Sequence, residues 1–69
     1  MTMETIGKRI ARLRREKGWT QKQLADRLEC HENTVAHWES DRNLPNAIMI
    51  IDLSDLFGVT CDYLLKGPV

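Results

Sequence analysis

Apolar residues fall along this chain in short clusters with helical spacing. Ile6, Ile10 and Leu13 recur at i, i+4 and i+7, on one face of a helix running roughly from Ile6 to Lys17. Gly18 is placed to end that helix in the left-handed conformation. Leu24, Ala25 and Leu28 form the inner face of a second helix, and Val35 and Trp38 that of a third. Thr20 can cap the second helix, with Gln23 completing a capping box and Trp19 packing on Leu24 as a hydrophobic staple. Asp41 to Pro45 is a polar connection. Asn46 then caps a fourth helix ending near Gly58, and Thr60 caps a short fifth closed by Gly67. Sustained two-residue alternation and Asn-Gly turns, the marks of strands and hairpins, are missing from the sequence. Proline occurs only at 45 and 68, so nothing before Pro45 is barred from helix. The pattern predicts five short helices in one all-α domain, residues 1–69.

Two segments say more than fold class. Thr20 to Glu39 reads as two short helices joined by a three-residue turn. The second of these is too short to be stable alone. Steps of 100° from Val35 put Trp38 and Glu39 inward and Thr34, Ala36 and His37 outward or lateral. Asn33 lies opposite Val35, with His31 and Glu32 at the amino end. A short helix propped by another, its outer face free to reach something, is the physical content of a helix-turn-helix. The other segment is the fourth helix, whose inward stripe would be Ile50, Leu53, Ser54 and Phe57. It also carries Ile48, Met49, Ile51 and Leu56. A helix apolar nearly all round is buried on more than one side, which points to a protein partner there. The alternative is a few tolerated surface apolar residues.

Composition narrows the classes. A chain of 69 residues has room for one domain with a small core. Its 42% apolar and 29% charged residues are those of an ordinary globular protein rather than a disordered one. No apolar run is long enough to span a bilayer and no basic-plus-apolar leader is present, so the expected setting is cytoplasmic, with no membrane partner. Cys30 and Cys61 form no CxxC pair and sit at apolar-pattern positions, so both are expected to be buried free thiols. Net charge is zero, yet residues 1–30 hold eight basic and four acidic side chains, whereas residues 31–69 hold two and six. The basic half can leave an electrostatic footprint on phosphate, or simply be a solvated helix face.

Catalytic chemistry finds no support in the sequence. Cys30, His31, His37 and Cys61 match no common zinc spacing, and there is no Gly-rich phosphate loop or nucleophile motif. The expectation is a protein that is not an enzyme and needs no metal or cofactor. The outer face of the third helix suits recognition better. Asn33 can pair bidentately with adenine, Glu32 can accept from cytosine N4, and His37 can reach a base edge or a phosphate. Each also has a plainer use: His31 as a helix cap, Glu32 as a partner of the helix dipole, His37 as a solvated side chain. No Arg or Lys lies on this helix, so the usual guanine contact is missing.

Three stretches together, IGKRIARLRREKGWTQKQLADRL, NTVAHWES and LSDLFGVTCDYLLKG, make the chain resemble the phage repressor/Cro-type (XRE-like) helix-turn-helix family over residues 5–67. The resemblance implies a compact five-helix, lambda-repressor-like DNA-binding domain with its helix-turn-helix at residues 20–39. It implies a sequence-specific transcriptional regulator, in many members a repressor, that binds an operator in double-stranded DNA as a homodimer. It gives base-reading positions to His31, Glu32, Asn33 and His37, and backbone contacts to Thr20, Gln21, Thr34, Arg42 and Asn43. Ala25 becomes the small residue where the two helices cross, and Arg14 with Glu39 a scaffold ion pair. Dimer contacts fall to Met49, Ile51, Val59 and Tyr63, which coincides with the apolar excess of the fourth helix. Two positions depart from the family pattern. Glu29 replaces the usual Gly or Asn of the turn, at about 1 kcal/mol if it must be left-handed; Asp41 stands where Gly is common. Two other readings remain open: a protein-interaction module of the same fold, antitoxin-like or adaptor, and the DNA-binding domain of a longer regulator. Gln21 and the basic first half favour DNA; the acidic second half and the fourth helix favour a protein.

Overall fold

Helix starts in this chain are built from the side chains that precede them. In the computed structural model, which describes residues 4–68, five helices appear: α1 (Ile6–Glu16), α2 (Gln21–Leu28), α3 (Glu32–Glu39), α4 (Ala47–Phe57) and α5 (Cys61–Lys66). The hydroxyl of Thr5 accepts from Lys8 N, that of Thr20 from Gln23 N, and that of Thr60 from Tyr63 N. The Asn46 amide oxygen accepts from Met49 N. Gln23 answers Thr20 by accepting its backbone N–H, so the capping box is complete. The exception is α3: His31 stands at its N-cap but makes no side-chain cap bond, so the capping use of His31 falls away.

Four helix exits share one construction. Gly18, Glu29, Asp41 and Gly58 take positive φ of 76°, 56°, 62° and 69°. In each case the next backbone N–H reaches back across the turn, Trp19 to Arg14 O, Cys30 to Ala25 O, Arg42 to His37 O and Val59 to Ser54 O. These are Schellman closures, and they satisfy carbonyls the helix leaves unpaired. Both departures from the family pattern, Glu29 and Asp41, are therefore left-handed without being glycine.

The core takes Ile10 and Leu13 from α1, Leu24, Ala25 and Leu28 from α2, and Val35 and Trp38 from α3. Ile50, Leu53 and Phe57 of α4 and Leu64 of α5 complete it. α3 lies against both α1 and α2, while α4 joins α2 to α5. The crossing of α1 and α3 is close: a Cβ on Gly7 would collide with the backbone oxygen of Trp38 and the carboxylate of Asp41. A radius of gyration of 11.0 Å matches the roughly 11 Å of a close-packed chain this long. No helix among the described residues is long and apolar enough to cross a membrane.

Three expectations shift. Trp19 packs against the core that holds Leu24, but its ring stacks on Phe57 at 6.2 Å and Arg27 covers it at 4.2 Å. It therefore links the turn before α2 to α4. Cys30 and Cys61 are free but half-buried, because one lies in an exposed turn and the other opens α5. On α4 the inward stripe Ile50, Leu53, Ser54 and Phe57 is buried as expected, and Ile48 and Ile51 remain 67% and 53% exposed.

Candidate nucleic-acid interface

α3 is fixed from its inner side. Val35 and Trp38 are buried in the core, and Glu39 receives both nitrogens of a bidentate Arg14, at 2.7 and 3.0 Å. Arg14 also donates to Trp19 O at 2.8 Å. Gln21 Nε2 donates to Glu39 Oε1 at 3.0 Å, so one carboxylate holds α1, α2 and α3 together. The side chains of Arg14 and Glu39 are 11% and 7% exposed. Hydrogen bonds to Glu39 push the Arg14 pKa above its ordinary value and keep the guanidinium charged. The ion pair read from the sequence is thus present, and half-buried Gln21 belongs to it.

With the inner side locked, the amino end of α3 faces outward. His31, Glu32 and Asn33 are exposed, and Thr34 and His37 are half-buried on its flanks. Thr20 is exposed beside Gln21 at the start of α2. Arg42 and Asn43 are exposed in the turn after α3, where both backbone N–H groups donate to His37 O. That turn has an anchor which residue reasoning missed. The Asp41 carboxylate accepts from Thr5 Oγ1 at 2.6 Å and from Gly7 N at 3.0 Å, tying the exit of α3 to the first turn of α1. The available signal was an Asp in a position that wants glycine, since a short polar side chain holds such a conformation best when it bonds nearby.

Open clefts flank α3 on two sides. Lys8, Arg15, Gln21, Ala36 and Ser40 line one. Thr34, Trp38, Asn43, Leu44 and Asn46 line the other. Lys8 and Arg15 were not singled out in the sequence; their seven-residue spacing on α1 puts them on one face.

The basic first half is less available than its count suggests. Arg9 is 4% exposed and donates to Leu64 O at 2.7 Å and Glu4 O at 2.9 Å. Its Nε lies 3.2 Å from Glu4 Oε1, within ion-pair reach but misaligned for a hydrogen bond. Arg12 donates to Glu4, Glu16 and the Tyr63 hydroxyl, and its bond to Glu4 holds that carboxyl below the usual range. Arg9, Arg12 and Arg14 therefore serve the fold, correcting the picture of a wholly solvated basic half.

Among the proposed dimer residues, Ile51 is exposed, while Met49, Val59 and Tyr63 are half-buried against the core. The Tyr63 ring also lies under Arg9 and Arg12. Leu44, Ile48 and Leu65 are exposed as well, at 69%, 67% and 46%. No group of three metal-ligating side chains comes together among the described residues.

Known proteins share this arrangement. The helix-turn-helix family HTH_3 matches residues 10–64. The HTH-type transcriptional regulator ImmR of Bacillus subtilis (strain 168) is 36% identical over 61 residues, 88% of this chain and 48% of its own length. The HTH-type transcriptional activator BcrR of Enterococcus faecalis is 37% identical over 62 residues, 90% of this chain and 30% of its own length. The chain thus spans half or less of these two relatives. A crystal structure of the P22 c2 repressor protein in complex with a synthetic operator superimposes with a TM-score of 0.90. The match has 27% identity and covers 96% of this chain and all of that one. Five helices with this geometry, a family match over most of its length and relatives above one-third identity place the chain in the helix-turn-helix family.

Proposed function

We propose that this chain is a sequence-specific DNA-binding transcriptional regulator, a repressor that reads a palindromic operator as a homodimer. The observation that carries this reading is the amino end of α3, where exposed His31, Glu32 and Asn33 stand on a helix whose inner side is locked by Val35, Trp38 and Glu39. Likeness to a repressor seen with its operator supports it. Thr20, Gln21, Thr34, Arg42 and Asn43 set the register on phosphates, while His31, Glu32, Asn33 and His37 read bases. Gln21 reaches phosphate with what Glu39 leaves free of its amide. Catalysis, metals and cofactors have no part in this function, and it belongs in the cytoplasm. The dimer forms through Met49, Ile51, Val59 and Tyr63, and exposed Ile48 of α4 adds apolar surface to that edge. Two-fold symmetry then sets two copies of α3 about 34 Å apart.

Duplex affinity measured against salt tests the reading. Binding weakens steeply with salt and is strongest for duplexes selected from a random pool. A flat salt dependence with every duplex, selected ones included, would sink it. Asn33→Ala relaxes preference at one base position by about 1–3 kcal/mol. Equal weakening on all sequences would make Asn33 a backbone contact instead. The exposed apolar face of α4 favours one other reading, a protein-interaction module of the same fold, antitoxin-like or adaptor. Flat salt dependence with self-association intact is its signature.

A further inference from the structure

The two clefts beside α3 differ in charge. The α1 side carries Lys8 and Arg15, both exposed and free of ion pairs among the described residues. Its one carboxylate, Glu39, is already neutralised by Arg14 and bonded by Gln21. The opposite cleft is lined by Thr34, Trp38, Asn43, Leu44 and Asn46, with no charged side chain. A helix lying in a major groove has one strand's phosphates along each side. Lys8 and Arg15 are seven residues apart, roughly 10.5 Å along the helix axis, about three steps of a strand that rises 3.4 Å per nucleotide.

We infer that the α1 cleft is a phosphate seat, in which Lys8 and Arg15 grip phosphates about three nucleotides apart on one strand while α3 enters the groove. This rests on the DNA-binding reading and adds two cationic contacts from α1 to the one already given to Arg42 after α3. It also resolves how a reading helix with no Lys or Arg is drawn to a polyanion. Arg9, Arg12 and Arg14 are spent on the fold, so Lys8 and Arg15, together with Arg42, supply the attraction that the helix lacks.

The test is the salt slope of binding to a selected duplex by the whole chain, for wild type, Lys8→Ala/Arg15→Ala and Lys66→Ala. Each phosphate contact contributes about 0.9 to the slope, so a dimer of the double variant, short of two contacts in each protomer, loses about 3.6. Between 50 and 200 mM salt its affinity then falls roughly a hundredfold less than that of wild type. Lys66→Ala, on α5, keeps the wild-type slope. The loss is the same on unrelated duplexes, because phosphates carry no sequence. Lys8→Arg/Arg15→Lys retains the slope, which separates charge from shape. Thermal melting of the double variant matches wild type, since both side chains are exposed and neither forms an ion pair among the described residues. A steep wild-type slope that the double variant retains overturns the inference and leaves the DNA reading standing. A flat wild-type slope overturns both.

Discussion

Glu39 is the residue on which most of the interface depends. It accepts two bonds from Arg14 and one from Gln21, with its side chain 7% exposed. Removing one member of such a pair strands the other charge in a poorly solvated place, at about 3 kcal/mol or more. A chain of this length has about 3–10 kcal/mol of stability in all, so Glu39→Ala leaves it near unfolding. The double change Arg14→Met/Glu39→Leu removes both charges and fills the volume, and loses under about 1 kcal/mol by the same reasoning. Urea denaturation of the single and double variants measures the difference. A double variant less stable than Glu39→Ala would refute the account. DNA affinity separates the roles further: the double variant folds, yet Gln21 is no longer oriented, so binding weakens while stability holds.

At the scale of elements, Glu29 and Asp41 occupy the same left-handed position after successive helices and answer differently to glycine. The Glu29 carboxylate is exposed and has no hydrogen-bond partner among the described residues, so its backbone strain is uncompensated. Glu29→Gly removes that strain and raises stability by about 1 kcal/mol, roughly 5 °C in a domain this small. Asp41→Gly removes similar strain but also the bonds to Thr5 and Gly7, and a lost cap of this kind costs about 1 kcal/mol or more. Thermal melting of the two variants therefore diverges: Glu29→Gly melts higher, and Asp41→Gly does not. Equal gains would mean that the tie to α1 contributes nothing. The contrast also marks the limit of sequence reasoning. Helix starts were legible because a cap joins a side chain to an N–H three residues on, as at Thr20, Asn46 and Thr60. The outward edge of α3 was legible because 100° steps from Val35 need only one buried residue as origin. Asp41 was not, because its partner Gly7 lies 34 positions away and meets it only once α1 crosses α3. The same holds for the arginines of α1. The resemblance singled out Arg14 alone; that Arg9 turns inward depends on the α5 carbonyl of Leu64, and nothing local distinguishes Arg9 from Arg15.

At the scale of the whole molecule, free charge and exposed apolar surface come from different elements. Free positive charge borders α3 on the α1 side, and exposed aliphatic residues gather at α4 and the segment before it. Ile48 and Ile51, three residues apart, share one edge of α4 and touch no core position, so water meets them unless a partner does. A two-fold dimer presents this edge to its own copy, an isologous contact needing no second surface. Sedimentation equilibrium then gives a mass rising with concentration toward twice the 8.0 kDa of the chain. Ile48→Lys and Ile51→Lys each hold it at the monomer value, because a buried lysine facing its symmetry mate is doubly unfavourable. Both variants keep the monomer fold, since the core stripe Ile50, Leu53, Ser54 and Phe57 is untouched. Their DNA binding separates dimerisation from contact. A monomer occupies one half-site and uses half the phosphates, so the salt slope halves while base preference within that half-site is unchanged. If both variants kept the wild-type mass, the α4 edge would not be the dimer face. If the mass fell but the slope stayed whole, dimerisation would not be what brings two reading helices to one operator.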